Sequence, residues 1–185
     1  MEKNKEQISY FEERVRNDLI DYLVEKDALD KQVPQCPDVE EKWREIARAY
    51  APDGVREFRD YPVVSLGWMM FVGMAMAYYW DTDWEKYSNK TDCYEEIRDM
   101  RGYDDMDDAV VEGVLGYTGE KKEKIVDMVA RCASRVYSML LHEKFEAGTE
   151  AAFGGYVACL HQLYLVGMSV ELNALGYHMT PISAN

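Results

Sequence analysis

The stretch that decides the fold of this chain is VVSLGWMMFVGMAMAYYW, residues 63–80, which contains no charged side chain. A helix that is apolar on every side either crosses a membrane or lies at the centre of a soluble bundle. A membrane span normally has an excess of Lys and Arg on one side. Basic residues here flank both ends: Arg56 and Arg59 before the stretch, Lys86 and Lys90 after it. The pattern therefore favours the centre of a soluble bundle.

A second stretch, residues 150–175, is also apolar and carries small residues at helical spacing. The small residues lie one turn apart in each stretch: Gly73 and Ala77 in the first, Gly154 and Ala158 in the second. Small residues at this spacing let two helix backbones approach closely. We therefore predict that a helix over 62–87 packs against a helix over 150–175. The same small residues also suit a seam between two copies, so a homodimer is expected.

The rest of the chain shows helical patterns, and no alternation of polar and apolar residues is long enough for a strand. Amphipathic helices are predicted over 4–31 and 120–146. Shorter helices are predicted over 38–50, 92–102 and 104–115, with a turn at 51–54. Two helices are expected to end in a glycine followed by a hydrophobic residue, at Leu115-Gly116-Tyr117 and Leu175-Gly176-Tyr177. The sequence predicts one all-α domain over 1–185, a bundle of about six helices around two central apolar ones.

Cysteine spacing and the start of the chain indicate the compartment. The cysteines lie far apart: Cys36, Cys93, Cys132 and Cys159. They form no CxxC motif, which argues against a zinc or redox site. The first residues are charged and lack the apolar region of a secretory signal. The sequence therefore predicts a soluble cytoplasmic protein with no membrane partner.

The charge of the chain is concentrated in one window. The formal net charge is −14, and residues 81–120 contain 13 acids and 4 bases. Nucleic-acid binding requires clustered Lys and Arg, so this composition disfavours a nucleic-acid partner. The window is either a solvated face that maintains solubility or a docking surface for a basic protein.

The densest part of this window is Asp104-Asp105-Met106-Asp107-Asp108. We take the candidate partner-binding residues to be Asp104, Asp105, Asp107 and Asp108. Acids at the start of a helix also cap its free N–H groups, which is the structural alternative.

The stretch YYWDTDWEKY, residues 78–87, combines aromatic rings with acids. Aromatic faces beside carboxylates can hold an organic cation or an arginine of a partner. The alternative is an aromatic helix end that packs under a loop. The candidate ligand-binding residues are Tyr78, Trp80, Asp81, Asp83, Trp84 and His161.

His161 belongs to this set because it lies on an apolar stripe of the second central helix, with Ala158 and Leu165. It is expected to point inward, either as a hydrogen-bonded core residue or as part of a pocket.

No other motif indicates a reaction. The three histidines do not share a helical face, and no histidine has a Glu three residues before it, as di-iron bundles require. Nucleophile elbows and phosphate-binding loops are absent from the sequence. No catalytic residue, metal ligand or cofactor is predicted. The main hypothesis is a non-enzymatic protein that docks a basic partner on the acidic 81–120 face. The alternative is a ligand-binding or divalent-metal-assisted enzymatic bundle with a pocket near Tyr78–Trp84 and His161.

Overall fold

The computed structural model describes residues 1–178, and within this range the chain forms helices and no strands. The long helices are α1 (Glu2–Glu25), α2 (Pro37–Phe58), α3 (Pro62–Thr82), α7 (Gly119–His142) and α8 (Glu150–Ala174). The short ones are α4 (Trp84–Asn89), α5 (Cys93–Asp99) and α6 (Met106–Asp108), with a 3-10 turn at Tyr103–Asp105 and a π-helical segment at Ala109–Val114. The predicted all-α fold is confirmed. Residues 179–185 of the predicted domain lie outside the described residues.

The two central helices, α3 and α8, pack side by side and run in the same direction. Ser65 contacts Tyr156 near the start of both helices, and Asp81 contacts Tyr177 near their ends. A Cβ atom on Gly73 would overlap the carbonyl oxygen of Tyr164 and lie 3.0 Å from its carbonyl carbon. The predicted pairing of the two apolar helices is therefore confirmed, and glycine makes the close approach possible.

Three further glycines of α8 also lie in close contacts. Gly167 of α8 faces the backbone of Met70, so this unpredicted glycine completes the α3–α8 contact. Gly154 and Gly155 instead face Ile8 of α1 and Phe145 of the loop before α8. The small residues near the start of α8 are thus covered within the chain.

Three amphipathic helices cover the central pair, each through one buried stripe. The stripe of α1 consists of Phe11, Val15, Leu19 and Leu23; that of α2 includes Val39, Trp43, Ile46 and Tyr50; that of α7 consists of Val129, Cys132, Ala133 and Val136. Apolar residues at steps of three and four place one face of a helix against the core. The four cysteines are free thiols.

Both central helices, Pro62–Thr82 and Glu150–Ala174, are long and apolar enough to cross a membrane by length and composition alone. In each helix, 67% of the apolar window is buried inside the protein. The core helix of a soluble bundle has the same length and composition, and burial of this extent fits the core interpretation of residues 63–80.

Several predicted boundaries are wrong. The turn predicted at 51–54 lies inside α2, which continues to Phe58 with Pro52 in its interior. Proline removes one helical hydrogen bond, but Tyr50 and Gly54 lie one turn apart on the buried face and hold the helix against the core. Pro52 itself is exposed. Tertiary packing therefore outweighs the local preference for a turn.

The predicted helix over 62–87 is divided at Asp83. Helix α3 ends at Thr82, and the Asp83 carboxylate accepts a hydrogen bond of 3.1 Å from the Lys86 N–H, which starts α4. An aspartate at this position satisfies a free N–H group of the new helix. The helix predicted over 4–31 ends earlier, at Glu25, and the one predicted over 120–146 ends at His142.

Gly116 and Gly176 both end a helical segment as predicted, but only the closure at Gly176 has the bond of the Schellman motif. Gly116 has φ +70° and Gly176 has φ +91°, and each is followed by a tyrosine. The Tyr117 N–H donates to the Val111 carbonyl at 2.8 Å, and the Tyr177 N–H donates to the Leu172 carbonyl at 2.9 Å. The Tyr177 bond spans five residues, as in the Schellman motif, which requires a residue with positive φ. The Tyr117 bond spans six residues, at the end of the π-helical segment Ala109–Val114.

Candidate functional site

The segment of residues 103–114, here called the acidic segment, packs against α3. It was predicted as a regular helix, but it is a 3-10 turn, one α-helical turn and a π-helical segment. Its buried residues anchor it to the core: Met106, Ala109, Val110, Val111 and Val114. The π-helix is rare and is often found at functional sites.

The acids of this segment differ in how their charge is neutralised. Asp108 and Glu112 both contact the Lys122 ammonium, at 2.8 Å and 2.6 Å. Asp104 and Asp105 are exposed and form no ion pair with any described residue. Asp105 is the N-cap residue of α6, yet its side chain accepts no capping hydrogen bond. The capping alternative therefore does not account for this carboxylate.

Asp107 is half-buried and also lacks an ion pair among the described residues. Burial raises the pKa of its carboxyl, because the charged form loses solvation. The acidic segment thus presents negative charge at Asp104, Asp105 and Asp107 that a nearby cation does not balance.

Tyrosine hydroxyls hold the start of the acidic segment in place. The Tyr103 hydroxyl lies 3.1 Å from the Tyr50 hydroxyl, which donates to the Ser65 carbonyl at 2.5 Å. The Trp68 indole N–H donates to the Tyr103 carbonyl at 2.7 Å. Burial raises the pKa of both Tyr50 and Tyr103, so these hydroxyls stay neutral. The acidic segment is therefore attached to a rigid polar network.

The sequence contains no pattern that reveals this network. The chain has 14 tyrosines, and this abundance is a weak signal for buried hydroxyl contacts. The partners lie far apart in the chain, as Tyr50, Ser65 and Tyr103 do, so no local spacing links them.

Three of the other eight acids of the 81–120 window form ion pairs with described residues: Asp92, Glu96 and Asp99. Lys90 contacts Asp92 at 3.0 Å and Glu96 at 2.9 Å. Arg98 contacts Asp99 at 2.8 Å and Asp53 of α2 at 3.2 Å. The acids of this window that lack an ion pair among the described residues are therefore spread along it. Outside the acidic segment they are Asp81, Asp83, Glu85, Glu95 and Glu120.

At the end of α3, three predicted ligand-binding residues lie together. Trp80, Asp81 and Trp84 line a hollow of about 230 Å³, with Met168 and Tyr177 on the opposite wall. The rings of Trp80 and Trp84 are 5.2 Å apart in an edge-to-face arrangement. The indole N–H of Trp80 is buried without an acceptor among the described residues.

The other predicted ligand-binding residues do not line this hollow. Tyr78 packs edge-to-face on Tyr79, and the Asp83 carboxylate caps α4. His161 lies two turns before Met168 on α8, where Nδ1 is 2.5 Å from Glu12 and Nε2 is 3.1 Å from Glu40. The imidazole therefore has a hydrogen-bond partner at each nitrogen.

Burial alone would lower the pKa of His161, but the hydrogen bonds and charges of Glu12 and Glu40 outweigh it. The pKa of His161 therefore lies above its ordinary value. Burial alone would raise the pKa of Glu12, but bonds from His161 and Gln162 bring it below its ordinary value. The ring also stacks on Trp43 at 5.1 Å. This environment matches the expectation of a hydrogen-bonded inward histidine.

The described residues contain no group of three or more His, Cys, Asp or Glu side chains placed to hold a metal ion. Among known proteins, no family model, curated protein or solved structure matches this chain.

Proposed function

We propose that this chain is a non-enzymatic binding protein that docks a basic protein partner through the acidic segment. The observation that carries the proposal is that Asp104 and Asp105 are adjacent, exposed and without an ion pair among the described residues, whereas Asp108 and Glu112 of the same segment pair with Lys122. Carboxylates without a counterion can form ion pairs with a partner without first breaking one within the chain. The formal net charge of −14 would also steer a basic partner toward this surface.

The rigid attachment of the segment supports the same proposal. Tyr50 and Trp68 hold Tyr103 by hydrogen bonds, and buried Met106 anchors the turn that follows it. A surface that is already ordered loses little conformational entropy when a partner binds. Little of the free energy of contact with a partner would therefore be needed to order this segment, and most of it would contribute to affinity.

We further infer that the protein acts in the cytoplasm without a membrane. The two apolar helices are covered by each other and by three amphipathic helices, and the cysteines are free thiols. Self-association stays a prediction. Gly154 and Gly155 contact Ile8 and Phe145 of the same chain, so a dimer would use a different surface from the small-residue seam.

Neutralising the two unpaired carboxylates tests the docking proposal. The double variant Asp104→Asn with Asp105→Asn is expected to weaken a basic partner's Kd roughly tenfold, since exposed ion pairs contribute up to about 1 kcal/mol each. The measurement is capture of proteins from an extract of the native cells by the immobilised chain. Bound proteins are identified by mass spectrometry and their affinity is measured at low and moderate salt.

The matched control is Asp21→Asn with Glu25→Gln, which removes two exposed acids from α1 and changes the net charge equally. It is expected to keep the partner. Bound basic proteins that respond equally to both double variants would indicate attraction by net charge alone, and would contradict docking at the acidic segment. Binding that does not weaken with salt would contradict it as well.

A second candidate function is small-ligand binding at the hollow beside Trp80 and Trp84. The buried Trp80 N–H without an acceptor favours it, because an unmade hydrogen bond of this kind costs about 1–3 kcal/mol. A ligand with an acceptor atom would satisfy the indole, and a cationic group would suit Asp81.

Native mass spectrometry tests this second candidate. An added mass that disappears on denaturation is expected from the wild-type chain and is expected to be lost in Trp84→Ala. The control His161→Ala should keep that mass, because His161 does not line the hollow. Loss in the His161 variant but not in the Trp84 variant would reject this location.

A further inference from the structure

A large cavity lies at the other end of the central helices. It has a volume of about 520 Å³ and lies between the ends of α2 and α7 and the start of α8. Sites for small molecules have volumes of about 300–1,000 Å³ and are lined mainly by apolar and aromatic side chains. This cavity has the size of such a site, and no sequence motif predicted it.

The walls of this cavity are formed by aromatic rings that also pack against residues of the core. Phe58 packs edge-to-face on Tyr156 at 4.8 Å, and Phe145 packs edge-to-face on buried Phe11 at 5.5 Å. The Tyr156 hydroxyl lies 2.6 Å from Ser65 Oγ, and Ser65 in turn donates to the Gly54 carbonyl at 2.7 Å. The walls are therefore preformed, and a ligand would not need to order them.

The rim exposes three large apolar side chains from three different helices. Val55 is 47% exposed, Leu141 is 59% exposed and Phe153 is 50% exposed. Each lines the same cavity. Exposed apolar side chains that meet around one concavity are typical of a binding site rather than of an ordinary surface.

The side-chain hydroxyls at the cavity are already hydrogen-bonded within the chain. The Thr149 hydroxyl donates to the Glu146 carbonyl at 2.6 Å and accepts from the Ala152 N–H at 3.2 Å. The Tyr156 hydroxyl is bound to Ser65, and none of the described residues that line the cavity has a charged side chain. A charged ligand would lose its hydration here without gaining a partner, which is costly.

We propose that this cavity binds a small uncharged apolar molecule, aromatic or alkyl, at a site separate from the acidic segment. Contact with the aromatic walls and burial of the apolar rim would provide the affinity. The absence of charged side chains among the described lining residues would select against ions.

The uncharged fluorescent probe N-phenyl-1-naphthylamine tests this site on the full chain. Wild-type protein is expected to bind one probe per chain saturably, with a blue shift and an increase in emission. Ala152→Phe fills the cavity from its wall and is expected to weaken binding at least tenfold. The matched control is Ala174→Phe, the same change at the exposed end of the same helix, which should bind the probe as wild type does.

A second pair of variants keeps the test decisive if Ala152→Phe does not fold. Phe153→Lys puts a charge at the exposed rim and is expected to weaken probe binding at least tenfold, whereas Met100→Lys, an exposed apolar residue away from the cavity, is not. The proposal would be overturned if wild-type protein does not bind the probe saturably, or if the cavity variants and the control variants bind it equally. A wild-type dimer that Phe153→Lys dissociates, with probe binding only to the monomer, would show that a second copy covers the cavity and would also overturn it.

Discussion

Gly73→Ala is expected to destabilise the protein strongly, although it adds a single methyl group to the core. The new Cβ would overlap the Tyr164 carbonyl oxygen, and this oxygen belongs to the backbone of α8 rather than to a flexible side chain. This overlap can be removed only if the two central helices move apart, which disturbs the packing along both of them. We expect a loss of about 3 kcal/mol or more. For a chain of this size, this corresponds to a decrease in Tm of roughly 6–12 °C.

Gly167→Ala should have a similar effect, because its Cβ would overlap the Met70 carbonyl oxygen on the opposite helix. Gly67→Ala is the matched control on α3. Its new methyl group would meet only side chains, Val129 Cγ1 at 3.3 Å and Ala133 Cβ at 3.5 Å. Alanine also favours the helix by up to about 1 kcal/mol, so the control should remain within about 1 kcal/mol of wild type.

Thermal and urea unfolding followed by circular dichroism measure these differences. If the Gly73→Ala protein has the same Tm as the Gly67→Ala protein, α3 and α8 do not approach closely at Gly73. The packing described for the core would then be wrong.

Glu171→Gln is expected to make the protein more stable at pH 8 by about 1–3 kcal/mol, with little change at pH 5. The Glu171 carboxyl is 2% exposed, and burial raises its pKa to about 7. The Tyr117 hydroxyl is its hydrogen-bond donor, at 3.0 Å from one carboxylate oxygen and 3.2 Å from the other. The charge of Lys121 lowers this pKa but does not outweigh the burial, and the charge of Asp81 raises it further.

The direction of the pH dependence follows from linkage. The folded pKa of about 7 exceeds the ordinary value of 4.5, so the folded state binds a proton at Glu171 more tightly than the unfolded state does. The stabilisation is complete below pH 4.5 and is lost as the pH rises through 7. The shift corresponds to about 3 kcal/mol as an upper value, and glutamine removes the charge that causes the loss.

Urea unfolding of wild type and variant between pH 5 and pH 8 tests this expectation, and the difference between the two proteins isolates Glu171. His161 also has a raised pKa, so it too contributes stability that is lost as the pH rises, but it does so equally in both proteins. Glu123→Gln is the control, since Glu123 is exposed and forms no ion pair among the described residues. Parallel pH profiles for Glu171→Gln and wild type would show that Glu171 is ionised without cost.

Local patterns in the sequence were sufficient to predict the helical fold and its central pair. An uncharged apolar helix such as 63–80 must be buried on all its faces. The four-residue spacing of Phe11, Val15, Leu19 and Leu23 indicates a helix with one buried face. The closure at Gly176 was predictable for the same reason, because a glycine with positive φ ends a helix through bonds within a few residues. Each of these signals lies within a single turn or a single helix.

The tertiary structure alone decided the candidate sites. Pro52 stays inside α2 because Tyr50 and Gly54 pack on other helices, and His161 meets Glu12 and Glu40 from two helices far away in the chain. The acidic charge was visible in the sequence, but the pairing of Asp108 with Lys122 and the isolation of Asp104 were not. The apolar cavity likewise combines residues from α2, α7 and α8. Hydrophobic periodicity acts within one helix, whereas a binding site depends on which helices meet, and that is determined by packing among distant parts of the chain.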